Sequence, residues 1–266
     1  MAAARVASGA MEIRLDGRTA LVTGGSKGLG RAMALAFADA GARVAIVARD
    51  RDAIDATVAE APDQLRGFVC DLRDAAALAA THAAVVDAVG EVDILVNNAG
   101  TSASGSFEDI TDEQWQADFD LKFFAAVRLV RLCLPAMKAQ RWGRVINVLN
   151  IGAKAPGART LPTTAARAAG MAMTKALASE YARDGILVNG LNTGVLVTEQ
   201  WKRLHGERAP GTDFDQFLAD TGKRVPIGRM GDAAEFANLA CFLASDAASY
   251  ITGCSINVDG GLSPVV

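Results

Sequence analysis

Thr23-Gly24-Gly25-Ser26-Lys27-Gly28-Leu29-Gly30 stands between the apolar run ALVTG (20–24) and the amphipathic stretch LGRAMALAFADAG that begins at Leu29. A strand, a glycine-rich turn and a helix in that order let the backbone turn sharply. They also bring free N–H groups and a partial positive charge to one point, the arrangement that receives a pyrophosphate. A second β-branched run, RVAIVA (43–48), follows about twenty residues on. Strand, turn, helix and strand at that spacing read as the first βαβ unit of a dinucleotide-binding sheet.

Further short apolar runs continue the alternation: GFVC (67–70), VDILVN (92–97), RVINV (144–148), ILVNG (186–190) and SINVD (255–259), each separated by a helical pattern. Seven strands divided by helices predict an α/β fold, a Rossmann-type doubly wound parallel sheet with helices on both faces. Ligands of such sheets bind beyond the carboxyl ends of the strands, and every motif considered below falls at a strand end.

The 266 residues fit one large domain, read here as 15–266 behind a frayed N-terminal extension over 1–14. The extension lacks the apolar core of a secretory signal, and no apolar run approaches the ~20 residues needed to span a bilayer. A net charge of −3 leaves no electrostatic footprint for nucleic acid or an anionic membrane, so the expected partner is a small molecule. Cys70, Cys133, Cys241 and Cys254 are widely separated, with no CxxC pair. No metal site is therefore expected, and a reducing cytoplasm is the simplest location. The two histidines, His82 and His205, stand apart from any ligand cluster and read as ordinary surface or packed positions.

The second strand ends in Ala48-Arg49-Asp50-Arg51. An acidic residue at that tip would accept from a ribose 2′-hydroxyl; Ala48 cannot, and Arg49 with Lys27 would neutralise a 2′-phosphate. The residues thus favour NADP(H) over NAD(H), although Asp50 and Asp52 lie close by. Cys70-Asp71-Leu72 closes the third strand and Asn97-Asn98-Ala99-Gly100 the fourth. A carboxylate there can accept from an adenine amino group, and small residues let a ribose lie against the backbone.

At these residues the sequence resembles the short-chain dehydrogenase/reductase family, in particular its 3-oxoacyl-ACP reductases. TGGSKGLG stands for the family's TGxxxGxG loop, Asp71 for its adenine contact and NNAG for its matching tetrapeptide. NTGVLVT (192–198) is similar to the family's NPG-x-x-x-T stretch beside the nicotinamide, and residues 226–261 follow its C-terminal pattern. The resemblance runs from about Leu15 to Gly261. It implies cofactor contacts at Gly24, Ser26, Lys27, Gly28, Leu29, Gly30, Arg49, Asp71, Leu72, Asn98, Ala99, Gly100, Arg167, Thr193, Gly194, Leu196 and Thr198. It also implies a homo-oligomer, tetramer or dimer.

The reacting centre departs from the pattern. In the family a serine ends strand five, a tyrosine follows thirteen residues later, a lysine stands four beyond it, and an asparagine lies on helix four. Registration puts Asn150, Thr163, Arg167 and Lys122 at these four positions. The only tyrosines, Tyr181 and Tyr250, have no lysine four residues later, so the Tyr-x-x-x-Lys relay is missing from the chain. An aliphatic hydroxyl is a weak acid and a guanidinium stays charged. Arg167 can still donate to ribose hydroxyls, and Asn150 can polarise a carbonyl.

Thr111 with Gln114 forms a capping box for helix four, whose apolar face reads Trp115, Phe119, Phe123, Val127 and Val130. Lys122 lies at the edge of that face. It reads either as a snorkelling lysine paired with Asp118 or as an ammonium pointing into the site. In the second case burial and Arg167 would depress its pKa toward a useful range, which makes it the first candidate proton donor; Lys154, on the loop after strand five, is the second. The insertion from Glu199 to about Val225 reads as a substrate lid, whose Trp201, Leu204, Phe214 and Phe217 either face a moderately apolar substrate or simply anchor the segment.

Three functions stay open at this point. They are an NADP(H)-dependent oxidoreductase acting on a ketone, alcohol or activated C=C or C=N bond, a nucleotide-binding sensor or partner subunit without turnover, and an elimination or isomerisation in the same pocket.

Overall fold

The computed structural model describes residues 13–266. The expected extension 1–14 therefore lies outside the described residues up to position 12. Of its last two residues, Ile13 packs against the core and Arg14 pairs with Asp16.

The strands are β1 (Thr19–Thr23), β2 (Arg43–Ala48), β3 (Leu65–Val69), β4 (Ile94–Asn97), β5 (Gly143–Asn150), β6 (Ile186–Thr193) and β7 (Ser255–Val258). They form one parallel sheet in the order β3-β2-β1-β4-β5-β6-β7. The helices are α1 (Gly28–Asp39), α2 (Arg51–Val58), α3 (Ala75–Val89), α4 (Asp112–Phe119), α5 (Ala125–Gln140), α6 (Thr163–Tyr181), α7 (Glu199–Arg208), α8 (Phe214–Gly222) and α9 (Ala233–Ala244).

Because side chains alternate across a strand, each strand feeds two cores. Val22, Val44, Ile46, Val96 and Val148 pack with Phe37 of α1, Ile54 of α2 and Phe236 of α9. Leu21, Ala45, Val47, Leu95 and Val145 pack with Leu78 of α3, Leu129 and Met137 of α5 and Ala178 of α6. Each fully buried large side chain among them contributes roughly 1.5–3 kcal/mol. The strand runs read from the sequence are apolar on both faces for this reason.

β5 and β6 run past their apolar stretches, pairing Leu149 with Asn192 and Asn150 with Thr193. A buried polar chain then ties this part of the sheet to α6. Asn97 donates to Asn147 (2.9 Å), Asn147 to Thr174 (2.8 Å), and Thr174 to the Gly170 carbonyl (2.8 Å). The middle of α6 is thereby set against the end of β4 and the middle of β5.

The long helix expected after Thr111 is not continuous. Its capping box is present, but α4 and α5 are joined by a π-turn, Asp120–Phe124, that sets one extra residue into the helix. Lys122 sits in that turn.

Strand order reverses between β1 and β4, and a cleft of about 970 Å³ opens there, at the carboxyl ends of the strands. No helix among the described residues is long and apolar enough to cross a membrane, and none of their side chains cluster as a metal site.

Candidate active site

Asn98 and Ala99 in the lining of the cleft are held from beneath by the buried Thr23. The Thr23 hydroxyl accepts from Asn98 N (2.9 Å) and Ala99 N (3.0 Å), and Asn98 Nδ2 donates to the Thr23 carbonyl (2.8 Å). These bonds lock the end of β4 to the end of β1. The glycine turn above them is so tight that a Cβ on Gly30 would lie 2.1 Å from the Gly24 carbonyl oxygen. Only glycine permits that approach.

Every residue expected on the cofactor side lines the cleft except Asp71. The Asp71 carboxylate is turned onto Arg73 in a paired contact, and hydrogen bonding from that guanidinium holds its pKa down to about 2. At the tip of β2, Lys27 and Asp50 form an ion pair (2.6 Å) while Asp50 also caps α2 through Ala53 N. Arg49, beside them in the lining, makes no hydrogen bond or ion pair of its own among the described residues, though its charge bears on Asp71. The acid that could repel a 2′-phosphate is therefore occupied by Lys27, and the arginine is available.

The phosphate end carries a group the sequence reading missed. Glu199, the first residue of α7, accepts a hydrogen bond from Gly28 N (3.0 Å). A carboxylate oxygen of the chain itself thus rests on the glycine turn, at a helix N-terminus that favours negative charge. No local signal could have shown it, because the partners are 171 residues apart.

Of the four residues expected at the reacting centre, Asn150, Thr163 and Arg167 line the cleft and Lys122 lies behind them. Lys122 is buried at 6% exposure, pairs with Asp118 Oδ1, and donates to Thr163 Oγ1 at 2.8 Å. The pairing with Asp118 is present but the snorkelling is not, because the ammonium is buried and directed at Thr163 in the cleft wall. Burial first, then Arg167, pull its pKa down to about 8 against the opposing pull of Asp118. Arg167 donates through Nη1 to the Val148 carbonyl, and burial lowers its pKa to about 10, leaving it charged at neutrality. Gly100 makes room for both cations; a Cβ there would lie 2.4 Å from Arg167 Nη2 and 3.4 Å from Lys122 Cε.

Thr163 is more constrained than its sequence position implied. Its hydroxyl accepts from Lys122 Nζ and from Ala103 N (3.0 Å) and donates to the Ala103 carbonyl (2.6 Å). One donor and two acceptor positions are all used. The Ala103 strand segment reaches it through a bridge between Ser104 and Pro162, a long-range pairing with no sequence signature. Asn150 closes β5 with its Oδ1 buried and unpartnered among the described residues, and its amide is left beside the cleft. Lys154 is not at the centre, since its ammonium donates to the Ser255 carbonyl (2.6 Å).

Over the cleft, α7 and α8 form the expected partly helical segment. Its aromatics pack on one another: Phe214 and Phe217 lie against His205, Trp201 lies against Phe217, and Trp201 Nε1 donates to the Leu196 carbonyl (2.7 Å). The anchoring reading prevails, with Trp201 alone among them also lining the cleft. His82 faces Cys133 Sγ at 3.7 Å, away from the site.

Residues 24–263 match the family described as enoyl-(acyl carrier protein) reductase. The chain is 34% identical over 250 residues to a 3-oxoacyl-[acyl-carrier-protein] reductase of Vibrio cholerae, covering 94% of this chain and 99% of that one. L-Sorbose reductase of Gluconobacter frateurii, solved with NADPH and L-sorbose, superposes with a TM-score of 0.90 at 33% identity, covering 96% of this chain and all 100% of that one. A short-chain oxidoreductase of Pseudomonas aeruginosa described as containing an atypical catalytic centre superposes with a TM-score of 0.88 at 35% identity, covering 95% of this chain and 100% of that one.

Proposed function

The chain belongs to the short-chain dehydrogenase/reductase family, and from that premise we propose that it is an NADP(H)-dependent reductase of a ketone, or in reverse of an alcohol, with an activated C=C or C=N bond as the variant substrate. The observation that carries the reading is the Lys122 Nζ to Thr163 Oγ1 contact of 2.8 Å at the wall of the cleft. It restores a side-chain acid behind a hydroxyl, the two parts a proton relay needs.

When bound, NADPH would supply the hydride. Arg49 would hold its 2′-phosphate, the N–H groups from Gly28 onward its diphosphate, and Arg167 its ribose. Asn150 orients the substrate oxygen through its amide. Thr163 passes a proton to that oxygen as it takes one from the Lys122 ammonium, so the hydroxyl never carries net charge, and Lys122 is left as the neutral amine. To do so the Thr163 O–H turns from the Ala103 carbonyl to the substrate. The segment 199–225 acts as a lid, and Glu199 leaves Gly28 when the diphosphate arrives. The enzyme acts in the cytoplasm, as one domain over 15–266, in a homo-oligomer.

The experiment measures NADPH binding by fluorescence and NADPH oxidation against ketoses, 3-oxoacyl thioesters and simple ketones. Lys122→Gln keeps a donor for Asp118 and Thr163 but cannot release a proton. It is expected to bind NADPH and to lose turnover by about 10²–10⁴-fold. Turnover at the wild-type rate removes Lys122 from the scheme. A second reading, NADP(H) binding without redox chemistry, is favoured by the saturated hydroxyl of Thr163. It prevails if NADPH binds tightly and no substrate is reduced.

A further inference from the structure

Asp118 and Lys122 are almost sealed from solvent, with side chains 2% and 1% exposed. An ion pair buried to that degree is a weak source of stability, because desolvation offsets most of the attraction and an apolar pair of the same volume would serve the fold as well. The pair is also incompletely satisfied. Asp118 Oδ1 takes the Lys122 ammonium, while Oδ2 is buried with no partner among the described residues. A half-satisfied buried carboxylate is retained at a cost, and buried charges placed beside a reacting centre are where such costs are met by function.

The groups facing Lys122 come from three elements. Asp118 lies on α4, Arg167 and the neutral Thr163 on α6, and Gly100 on the loop after β4. Arg167 and desolvation both favour the neutral amine; Asp118 is the one group that favours the ammonium. It also takes one of the three ammonium hydrogens, which leaves Thr163 Oγ1 as the acceptor of a second.

We propose that Asp118 is a positioning residue of the proton relay: it holds Lys122 Nζ on Thr163 and keeps the amine loaded with its proton at neutral pH. The proposal rests on the reading of Lys122 as the acid. In each turnover Lys122 gives one proton through Thr163 to the substrate oxygen and regains one from solvent. Asp118 stays paired with Nζ, and its charge favours the regain.

Two measurements test this. The first is the pH dependence of kcat for ketone reduction in the wild type, Asp118→Asn and Asp118→Glu. The second is the titration of Lys122 followed by the 13Cε resonance in the cofactor-free protein, which does not depend on turnover. In Asp118→Asn both the alkaline limb of kcat and the 13Cε midpoint are expected to move down by about 1 to 2 pH units, the scale of an opposite charge at contact distance. Asp118→Glu, which keeps the charge, is expected to hold both near the wild-type midpoint while lowering kcat through a displaced ammonium. Unmoved midpoints in Asp118→Asn, with only the melting temperature lowered, overturn the proposal and leave Asp118 a structural partner. A midpoint in Asp118→Glu as low as in Asp118→Asn overturns it too. Failure of the underlying reading is recognisable separately: kcat then shows no alkaline limb in the wild type, while the 13Cε midpoint still responds to Asp118→Asn.

Discussion

Gly100→Ala adds one methyl group at the point where the two cations of the site meet. That carbon would lie 2.4 Å from Arg167 Nη2, about 1 Å inside ordinary contact, and at a normal 3.4 Å from Lys122 Cε. The guanidinium is the end of a long side chain, so the relief is local: it retreats about 1 Å and gives up its bond to the Val148 carbonyl. A hydrogen bond from a charged donor is worth about 1.5–3 kcal/mol, which for a chain of this size corresponds to a melting temperature lower by roughly 3–10 °C. The effect on function is larger, because a group displaced by about 1 Å beside the reacting atoms costs on the order of 10²-fold in rate. Thermal melting, NADPH fluorescence titration and ketone reduction measured on one preparation give all three quantities. Gly105→Ala serves as the control, since a Cβ there meets only Ile110 at 3.6 Å. Wild-type kcat/KM and wild-type NADPH affinity in Gly100→Ala would refute the placement of Arg167 against this glycine.

Arg49→Ala is expected to reduce the preference for NADPH over NADH by roughly tenfold or more, the loss of one charged hydrogen bond to a 2′-phosphate; an unchanged affinity ratio by fluorescence titration contradicts the role given to the tip of β2. Glu199→Gln removes the negative charge from Gly28 N and is expected to tighten NADPH binding by up to roughly fivefold, the scale of an exposed charge pair. Weaker binding in that variant would mean that Glu199 assists the cofactor instead of yielding to it.

The sheet was legible because each strand carries a β-branched run buried on both faces, and the glycine turn because its residues follow one another in sequence. The ends of β5 and β6 were not, since Asn150 and Thr193 are polar and are placed in the ladder by pairing with each other and, for Thr193, with Val258 of β7. Position in the family's pattern brought Asn150, Thr163 and Arg167 to one wall of the cleft but said nothing of how Thr163 is bonded. That depends on Ala103, sixty residues away, and on a bridge at Pro162. Asp118 stood four residues before Lys122 in plain view, yet spacing alone cannot distinguish an exposed i, i+4 pair from a buried one. Glu199 shows the same limit at longer range, and Lys154 shows that a lysine on the right loop can face the wrong way.

The π-turn at Asp120–Phe124 gives the helix a property that no substitution scan would detect. Upstream, the chain is pinned by the Thr111–Gln114 cap, and downstream α5 is pinned by Leu129 and Met137 in the core. The π-turn absorbs one extra residue while both pinned flanks keep their faces, so removing a residue there would let the segment close to ordinary α geometry with α4 and α5 in place, and only the side chains of the turn itself would be re-aimed. Lys122 is one of those side chains, so chain length is in this sense part of the site.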